Sequence, residues 1–414
     1  MLTKSTHFNQ ISFCEVCGST QLDSVLQLGA HPMCDDLVLV GDNRVCREYP
    51  IEILFCNTCL TAHQRFQVPK QDLFPLSYHY RSRFTADVIN GMRDLTESCE
   101  HRYGILKGRK VLDIGCNDGS LLDLFREKGA ITIGVEPTGA AADADGKEHA
   151  IYNDFLSSDS AHKVVQAHGQ PDFITFTNVF AHVENLKEVL DSLSLLISPT
   201  TVLVIENHYL GSVLAGNQFD TFYHEHPRTY SFKSFQYMAA SLGRSIQHVE
   251  FPSRYGGNIR VFIGGMAQQV IPAIGEINAR ENAFPKRFEN IARNVETWRK
   301  SKSAELAELV RQYGPLRAKA FPGRAAILVK LLGLNETIVS AVYEKPGSLK
   351  IGHYIPGTRI PILSDDELLA QGGLDLPLLN MAWHIPLEIR AYMREYGYTG
   401  QIVDILSQAD FFGI

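Results

Sequence analysis

The chain has 414 residues, of which 45% are hydrophobic and 21% charged, with a formal net charge of −7 at pH 7. This composition indicates a soluble globular protein of two or three domains, and the acidic charge argues against a nucleic-acid scaffold. No apolar run approaches the ~20 residues of a membrane span. The polar start of the chain, Met1 to Gln10, lacks an apolar signal core, so the sequence predicts a cytoplasmic protein that does not bind a membrane.

Six of the eight cysteines lie within the first 59 residues, and four of them form two C-x-x-C pairs. In a reducing compartment, this pattern predicts one tetrahedral zinc site rather than disulfides. Four thiolates close the coordination shell, so the metal is expected to be structural. A redox role is the competing interpretation, but no βαβ pattern surrounds either pair. The predicted ligands are Cys14, Cys17, Cys56 and Cys59.

A segment from Leu73 to Ser82 alternates tyrosines with polar residues and precedes a helical stretch that runs from Phe84 to Arg102. Such a segment is typical of a lid over a ligand, and equally of a surface edge strand. The local residues leave both interpretations open.

A strand, a glycine turn and a helix are predicted between Val111 and Phe125. Gly115 and Gly119 allow the backbone to approach a ligand closely, at a spacing that differs from the dinucleotide pattern G-x-G-x-x-G. The acidic loop suits a cationic, phosphate-free cofactor. The stretch resembles motif I of the class I S-adenosylmethionine methyltransferases, which implies cofactor contacts from Asp113, Gly115, Asn117 and Gly119.

Three further apolar runs follow motif I, and helix-like sequence separates them. Ile131 to Val135 ends in Glu136, whose position is suited to bind two ribose hydroxyls. Asp154 and Phe155 supply a polar group and an aromatic ring for an adenine. The other two runs are Phe173 to Val179 and Thr201 to Glu206. Strands alternating with helices predict an α/β fold with a mostly parallel sheet.

The segment Phe219 to His226 concentrates polar side chains beyond the strand that ends at Glu206. A histidine is suited to remove a proton, a glutamate to orient it, and a tyrosine hydroxyl to stabilise an oxyanion. His224 and His226 are also spaced to chelate a metal, but no third ligand is evident nearby. Acid–base chemistry is therefore the favoured interpretation.

The ordered set of zinc motif, motif I and Phe-Asp-Thr-Phe-Tyr-His-Glu-His resembles the nucleotide-sugar C-3′-methyltransferases of branched deoxysugar biosynthesis. The resemblance continues through Tyr255 to Arg260 and through Gly352 to Ile362, so it covers nearly the whole chain. It implies a class I Rossmann-like methyltransferase core with a small zinc-binding domain before it and a C-terminal Rossmann-like domain after it. The implied segments are 1–75 for zinc, 76–270 for methyl transfer, 271–315 for a helical connector and 316–414 for substrate binding.

The resemblance also implies roles for particular residues. His226 is expected to be the base, oriented by Glu225, with Tyr223 stabilising an enolate. Further matches in the active site are Tyr78 and His182, and the expected substrate contacts are Asn178, Arg260 and Lys350. His224 is assigned a structural role.

The implied substrate is a nucleotide-linked 4-keto-6-deoxyhexose that is methylated at C3. Two C-terminal stretches depart from the family's usual loops, namely Ala320 to Ala326 and Glu344 to Gly352, so the sugar, nucleotide and stereochemistry stay open. An O- or N-methyltransferase of the same fold is the main alternative, followed by a non-catalytic binding protein. The sequence leaves the oligomeric state open and is compatible with a monomer.

Overall fold

The structure of the protein is a computed structural model that describes residues 8–69, 73, 81–84, 86–264, 271 and 273–411. Tyr78 and most of the tyrosine-rich segment around it lie outside the described residues. Within the described part of the chain, no helix has both the length and the apolar character needed to cross a membrane.

Strands occur along the whole described chain. They are β1 Asn9–Gln10, β2 Leu22–Pro32, β3 Val38–Leu39, β4 Glu48–Cys56, β5 Ala62–Gln64, β6 Phe66–Gln67, β7 Lys110–Ile114, β8 Ile131–Val135, β9 Ala150–Tyr152, β10 Phe173–Thr177, β11 Val202–His208, β12 Arg228–Thr229, β13 Ser245–Glu250, β14 Asn258–Gly264, β15 Leu316–Lys319, β16 Val339–Glu344, β17 His353–Tyr354, β18 Ile362–Ser364, β19 Leu378–Asn380 and β20 Ile402–Asp404.

The α-helices begin after the zinc-motif region. They are α1 Ala86–Tyr103, α2 Ser120–Glu127, α3 Ala141–Asp145, α4 Ser158–His168, α5 Leu186–Leu196, α6 Leu210–Ala215, α7 Phe232–Ser241, α8 Ile274–Asn282, α9 Phe284–Tyr313, α10 Ala325–Leu331, α11 Asp365–Gln371 and α12 Pro386–Glu395. Short 3₁₀ helices cover Ser82–Phe84, Phe180–His182, Phe219–Thr221, Arg254–Gly256 and Gln408–Phe411.

The chain forms two compact units, each built from separate segments. The first contains the chain up to Asp23 together with Leu54–Val213 and Glu225–Phe284. The second contains Ser24–Ile53, Leu214–His224 and the chain from Pro285 onward. The stretch between the two C-x-x-C pairs thus groups with the C-terminal segments, because its strand β3 pairs antiparallel with β17. The four expected domain segments stay a prediction.

A seven-stranded sheet forms the centre of the first unit, in the order β13-β14-β11-β10-β7-β8-β9. The five strands from β7 to β11 are parallel, and β14 runs antiparallel to β11. The predicted runs form these strands because their apolar residues are buried on both faces by helices. Strands β10, β7 and β8 show this pattern, with Ile174, Val111 and Ile133 each fully buried. The carboxyl ends of all five parallel strands therefore meet along one edge of the sheet.

The second unit contains a five-stranded sheet of order β18-β16-β15-β19-β20 in which all pairings are parallel. Chain order runs outward from β15 in both directions, which is the doubly wound arrangement. The predicted C-terminal Rossmann-like fold is confirmed.

The helical connector predicted at residues 271–315 contains α8 and, after Ala283, the long helix α9. Charged side chains cover its exposed face, as expected of a solvated helix. Its other face is buried in the second unit: Phe288, Ile291 and Trp298 are at most 1% exposed, and the Trp298 indole donates to the Ile405 carbonyl at 3.0 Å. The helix is thus part of a core as well as a connector.

A buried ion pair lies in the same unit. The Arg324 guanidinium donates to both carboxylate oxygens of Asp220, at 2.8 and 2.7 Å. The Trp383 indole donates to the same carboxylate at 2.9 Å. Asp220 has no exposed surface and Arg324 is 8% exposed, so neither charge has access to water as an alternative partner.

We expect Asp220→Ala to reduce the free energy of unfolding by about 3–5 kcal/mol, because it leaves a buried guanidinium without its counter-charge. Urea denaturation would measure this loss. The control is Asp191→Ala, which breaks an exposed pair with Lys187 whose side chains are 57% and 83% exposed, and its effect should be within about 0.5 kcal/mol. Equal effects of the two variants would contradict the assignment.

Candidate active site

The four cysteines of the C-x-x-C pairs converge, with their sulfur atoms within 4.8 Å of one another. Cys14 and Cys59 are 3.3 Å apart, and Cys17 and Cys56 are 3.6 Å apart. A tetrahedral zinc ion with Zn–S bonds of ~2.3 Å needs sulfur separations of about 3.8 Å. The residues therefore fit a closed four-thiolate zinc site.

Each C-x-x-C pair sits on a tight turn that ends in a residue with positive φ. Gly18 has φ 76° and its N–H donates to the Cys14 carbonyl at 2.8 Å, while Leu60 has φ 59° and donates to the Cys56 carbonyl at 2.8 Å. These turns aim both sulfurs of a pair at one point. His63 contacts the Cys14 sulfur through Nε2 at 3.3 Å, so it supports the site from outside the four ligands.

Motif I connects β7 to α2 as predicted. Gly115 has φ 71°, and a Cβ at this position would lie 2.6 Å from Cγ2 of Val179. Asn117 and Gly119 also have positive φ, at 50° and 76°. Only glycine fits at position 115, because a Cβ would displace the loop after β10 that contains Val179. The turn therefore stays close to the carboxyl edge of the sheet.

Glu136 follows β8 and lies directly against motif I. Its carboxylate accepts the Asn117 N–H at 2.9 Å, the Thr138 N–H at 2.8 Å and the Thr138 hydroxyl at 2.6 Å. The Asn153 amide donates to the Glu136 carbonyl at 2.7 Å. The three segments expected to hold the cofactor are therefore brought together.

The remaining predicted cofactor residues differ in exposure. Asp113 is buried in β7 and accepts a hydrogen bond from the Thr175 hydroxyl at 2.6 Å. Burial raises the pKa of Asp113 to about 7, which the Thr175 hydroxyl partly opposes. Asp154 is exposed after β9 and accepts from the N–H of half-buried Phe155 at 2.8 Å. A direct cofactor contact from each of these residues stays a prediction.

Three histidine rings meet beyond the carboxyl ends of β10 and β11. The rings of His182 and His226 have centroids 4.7 Å apart, and those of His208 and His226 are 5.6 Å apart. His182 Nδ1 lies 2.7 Å from the Glu225 carbonyl, so this nitrogen carries the proton of the neutral ring. Burial lowers the pKa of His182 to about 4, and the ring is neutral at pH 7.

A buried network lies beside the histidines and contains two of the predicted substrate contacts. Glu206, with no exposed surface, accepts from Arg260 Nε at 2.6 Å and from Asn258 Nδ2 at 3.0 Å. Arg260 also donates to Glu250 at 2.7 Å. Asn178 has φ 55° and accepts the Asn258 amide at 3.2 Å. The Arg260 charge is thus neutralised within the protein, and its contact with substrate stays a prediction.

The other predicted site residues belong to the second unit or are not described. Tyr223 is half-buried, and His224 is buried and bonds through Nε2 to the Tyr49 carbonyl at 3.0 Å, which fits its assigned structural role. Lys350 donates to the Phe321 carbonyl at 2.7 Å. Tyr78 lies outside the described residues.

Two residues of this region, His208 and Arg228, are absent from the sequence predictions. His208 ends β11, so the rule that ligands bind at carboxyl ends of parallel strands was a signal for it. Arg228 has no exposed surface, and its partners Glu15, Val183 and Glu184 are distant in sequence, so no local pattern indicates it.

Comparisons with known proteins agree with this geometry. Family models match three consecutive segments: "Putative zinc binding domain" at residues 14–74, "Methyltransferase domain" at 79–249 and "C-methyltransferase C-terminal domain" at 253–405. C-methyltransferase NovU of Streptomyces niveus is 28% identical over 398 residues, which cover 94% of each chain.

Two solved structures show a partial likeness to the chain. Magnesium protoporphyrin IX methyltransferase of Synechocystis PCC 6803 has a TM-score of 0.34 at 16% identity, over 43% of this chain and 84% of its own. An S-adenosylmethionine-dependent methyltransferase of Archaeoglobus fulgidus has a TM-score of 0.32 at 19% identity, over 47% of this chain and 87% of its own.

The doubly wound sheet, motif I and the matching domain models define an S-adenosylmethionine-dependent methyltransferase. More narrowly, the chain belongs to the C-methyltransferases that carry an N-terminal zinc-binding domain. The predicted fold class, family, cofactor and zinc site are thereby confirmed.

Substitution of a zinc ligand should impair folding, because zinc binding contributes directly to the stability of the fold. We expect Cys14→Ser and Cys56→Ser to lose the bound metal and to unfold at lower temperature, as measured by elemental analysis and calorimetry. Cys46→Ser is the matched control, because Cys46 is buried outside the cluster and donates to the Asp36 carbonyl. A Cys14→Ser variant without zinc but with unchanged stability would disprove a structural metal.

Glu136→Ala should weaken S-adenosylmethionine binding about 10- to 100-fold, the equivalent of one lost charge-assisted hydrogen bond. Calorimetric titration measures the dissociation constant. Glu127→Ala, an exposed change in α2, is the control and should leave binding unchanged. A lower kcat with an unchanged dissociation constant would contradict the ribose role.

Proposed function

We propose that the protein methylates C3 of a nucleotide-linked 4-keto-6-deoxyhexose through an enolate. The relative named a C-methyltransferase and the model named for C-methyltransferases support carbon as the acceptor atom. The observation that carries the proposal is the buried pairing of His226 with a neutral His182 at the carboxyl edge of the sheet. A sugar carbon needs a base before it can accept a methyl group, and this pairing provides one.

The chemistry follows from the substrate's C4 ketone, which acidifies the C3–H bond. His226 removes that proton and leaves an enolate whose charge is spread between C3 and the C4 oxygen. The enolate carbon would then accept the methyl group: a new C–C bond would form as the C–S bond breaks, leaving S-adenosylhomocysteine and protonated His226. Bound S-adenosylmethionine supplies the electrophilic methyl group.

The neutral state of His182 favours this proton transfer. When His226 takes up a proton, a positive charge appears 4.7 Å from the His182 ring centre. A second imidazolium there would oppose it by about 3.5 kcal/mol at an effective dielectric constant of ~20. Because burial keeps His182 neutral, that opposition is absent.

The other roles follow the predicted site. Glu225 orients His226, and Tyr223 stabilises the developing oxyanion. Tyr78 is a further active-site residue, and Asn178 and Lys350 contact the sugar nucleotide. The cofactor is held by the motif I turn at Gly115, by Glu136 and by the loop after β9. In this arrangement the cofactor and the base share one edge of the sheet.

The test is proton–deuterium exchange at C3 of GDP-linked and dTDP-linked 4-keto-6-deoxyhexoses, followed by NMR in D₂O with enzyme and no methyl donor. Wild-type enzyme should catalyse exchange with at least one substrate, because only the enolate route makes this proton labile. Absence of exchange with both would redirect the assignment to O- or N-methylation.

His226→Ala should slow both exchange and methyl transfer by at least about 100-fold, the usual contribution of a general base. Its S-adenosylmethionine dissociation constant should stay within about twofold of wild type, since the imidazole acts in the chemical step. Lys187→Ala, on the exposed side of α5, serves as the control with unchanged rates. A large loss of cofactor affinity in His226→Ala would contradict the role of base.

A further inference from the structure

A single buried arginine connects the zinc site to the segments that carry the histidines. Arg228 lies two residues after His226 and has no exposed surface. Its Nη1 donates to the carboxylate of Glu15, which is the residue directly after Cys14. Its Nη2 donates to the carbonyls of Val183 and, at 3.0 Å, of Glu184. The guanidinium thus contacts the first zinc turn and the chain that follows His182.

Glu15 is held in place for this contact. Its carboxylate also accepts from the Gln67 amide at 2.7 Å, and the turn that carries it is anchored by Cys14 and Cys17. The remaining edge of the guanidinium is satisfied as well, because Arg228 Nε donates to the Tyr230 hydroxyl at 3.0 Å. Each of the three guanidinium nitrogens therefore donates to a defined acceptor, which fixes the orientation of the Arg228 side chain.

Backbone contacts reinforce the connection on the other zinc turn. Strand β5 follows Cys59 and pairs antiparallel with β12, which follows His226. The Gln64 N–H donates to the Pro227 carbonyl at 2.8 Å. The Cys59 carbonyl accepts from the hydroxyls of Ser231 and Ser234 at 3.1 and 3.2 Å. Both zinc turns thus contact the chain within eight residues of His226.

The two histidine segments also hold each other, since His182 Nδ1 donates to the Glu225 carbonyl at 2.7 Å. A shift of either segment would change the 4.7 Å separation of the His182 and His226 rings. Regular secondary structure does not fix these segments: His182 ends a 3₁₀ helix, and His226 lies between another 3₁₀ helix and β12.

We propose that Glu15 and Arg228 are positioning residues for His182 and His226, so that the zinc turn sets the geometry of proton abstraction. The proposal rests on the proposed base role of His226. Loss of the Glu15 charge would free the guanidinium to reorient, and the carbonyls beside His182 would lose their donor. A displacement of about 1 Å at a reacting group can lower a rate by ~10²-fold.

Glu15→Gln tests this while retaining the side-chain volume and one acceptor oxygen. We expect kcat to fall about 10- to 100-fold, with KM, the S-adenosylmethionine dissociation constant and the zinc content of the holoenzyme unchanged. Asp172→Asn is the matched control, since it breaks an ion pair with Arg109 at the amino end of the seven-stranded sheet. The kcat of this variant should equal that of wild type. Arg228→Lys should resemble Glu15→Gln, and the double variant should lose little more, because both changes break one connection.

A second readout needs no substrate. In ¹⁵N-histidine NMR spectra of the holoenzyme, His182 should be neutral and protonated on Nδ1, and Glu15→Gln should shift the His182 and His226 ring signals. If wild type neither exchanges nor methylates the keto sugars, the proposed function fails and this arm still decides the positioning role. Three outcomes would overturn the proposal. The ring signals could stay unchanged, the loss of kcat could follow a loss of zinc, or Asp172→Asn could lose as much kcat as Glu15→Gln. If Glu15→Gln does not fold, the Arg228→Lys spectra decide it.

Discussion

Parallel strand pairing is the constraint on which the active site depends. Five consecutive parallel strands must present their carboxyl ends on the same edge of the sheet, whatever residues follow them. Gly115, Glu136, Asp154, Asn178 and His208 each end a strand or follow one within two residues. These residues span about a quarter of the chain, and strand pairing alone places them in one region, independently of their side-chain contacts. Side-chain hydrogen bonds then fix the orientation of these residues within the region.

Charges buried at this edge must be compensated within the protein, and this requirement adds rigidity. Glu206 has no exposed surface, so the energy it loses on leaving water is offset by Arg260 at 2.6 Å and Asn258 at 3.0 Å. Each partner is in turn held by a second acceptor, Glu250 for Arg260 and Asn178 for Asn258. A network satisfied in this way has one favoured arrangement, because any other leaves a buried group unpaired.

The sequence predicted what local patterns encode. Apolar runs predicted the strands β7, β8, β10 and β11, since a strand buried on both faces is mostly apolar. Cysteine spacing predicted the metal ligands, because two turns with paired thiolates supply the four ligands of a tetrahedral shell. Motif I and Glu136 were predicted together, and the structure places the Asn117 N–H on the Glu136 carboxylate.

Contacts between distant segments were not predictable in this way. Arg228 lies 213 residues from Glu15 in sequence, and nothing near either residue marks the other as its partner. Arg260 was expected to contact substrate, yet two carboxylates already bind its guanidinium. The stretch Ser24–Ile53 lies between the zinc ligands in sequence but groups with the C-terminal segments, because a strand's partner depends on tertiary pairing. Single-sequence patterns identify candidate polar residues, whereas their partners follow from the fold.

These observations give the zinc-binding segment a reason to be present in this enzyme. The residues predicted to bind the cofactor need no such support, because they lie in or just after strands of a rigid sheet. His226, the proposed base, does not follow a strand of that sheet. It lies in a segment without regular structure between Phe219–Thr221 and β12, and an unsupported loop is too mobile to hold a base against a C–H bond. A compact metal-anchored turn can supply the missing rigidity at the cost of few residues, because four thiolate bonds replace the core that a larger domain would need. The contacts of Arg228 and β5 lie beside the segments that carry His182 and His226, which are the segments that need this rigidity.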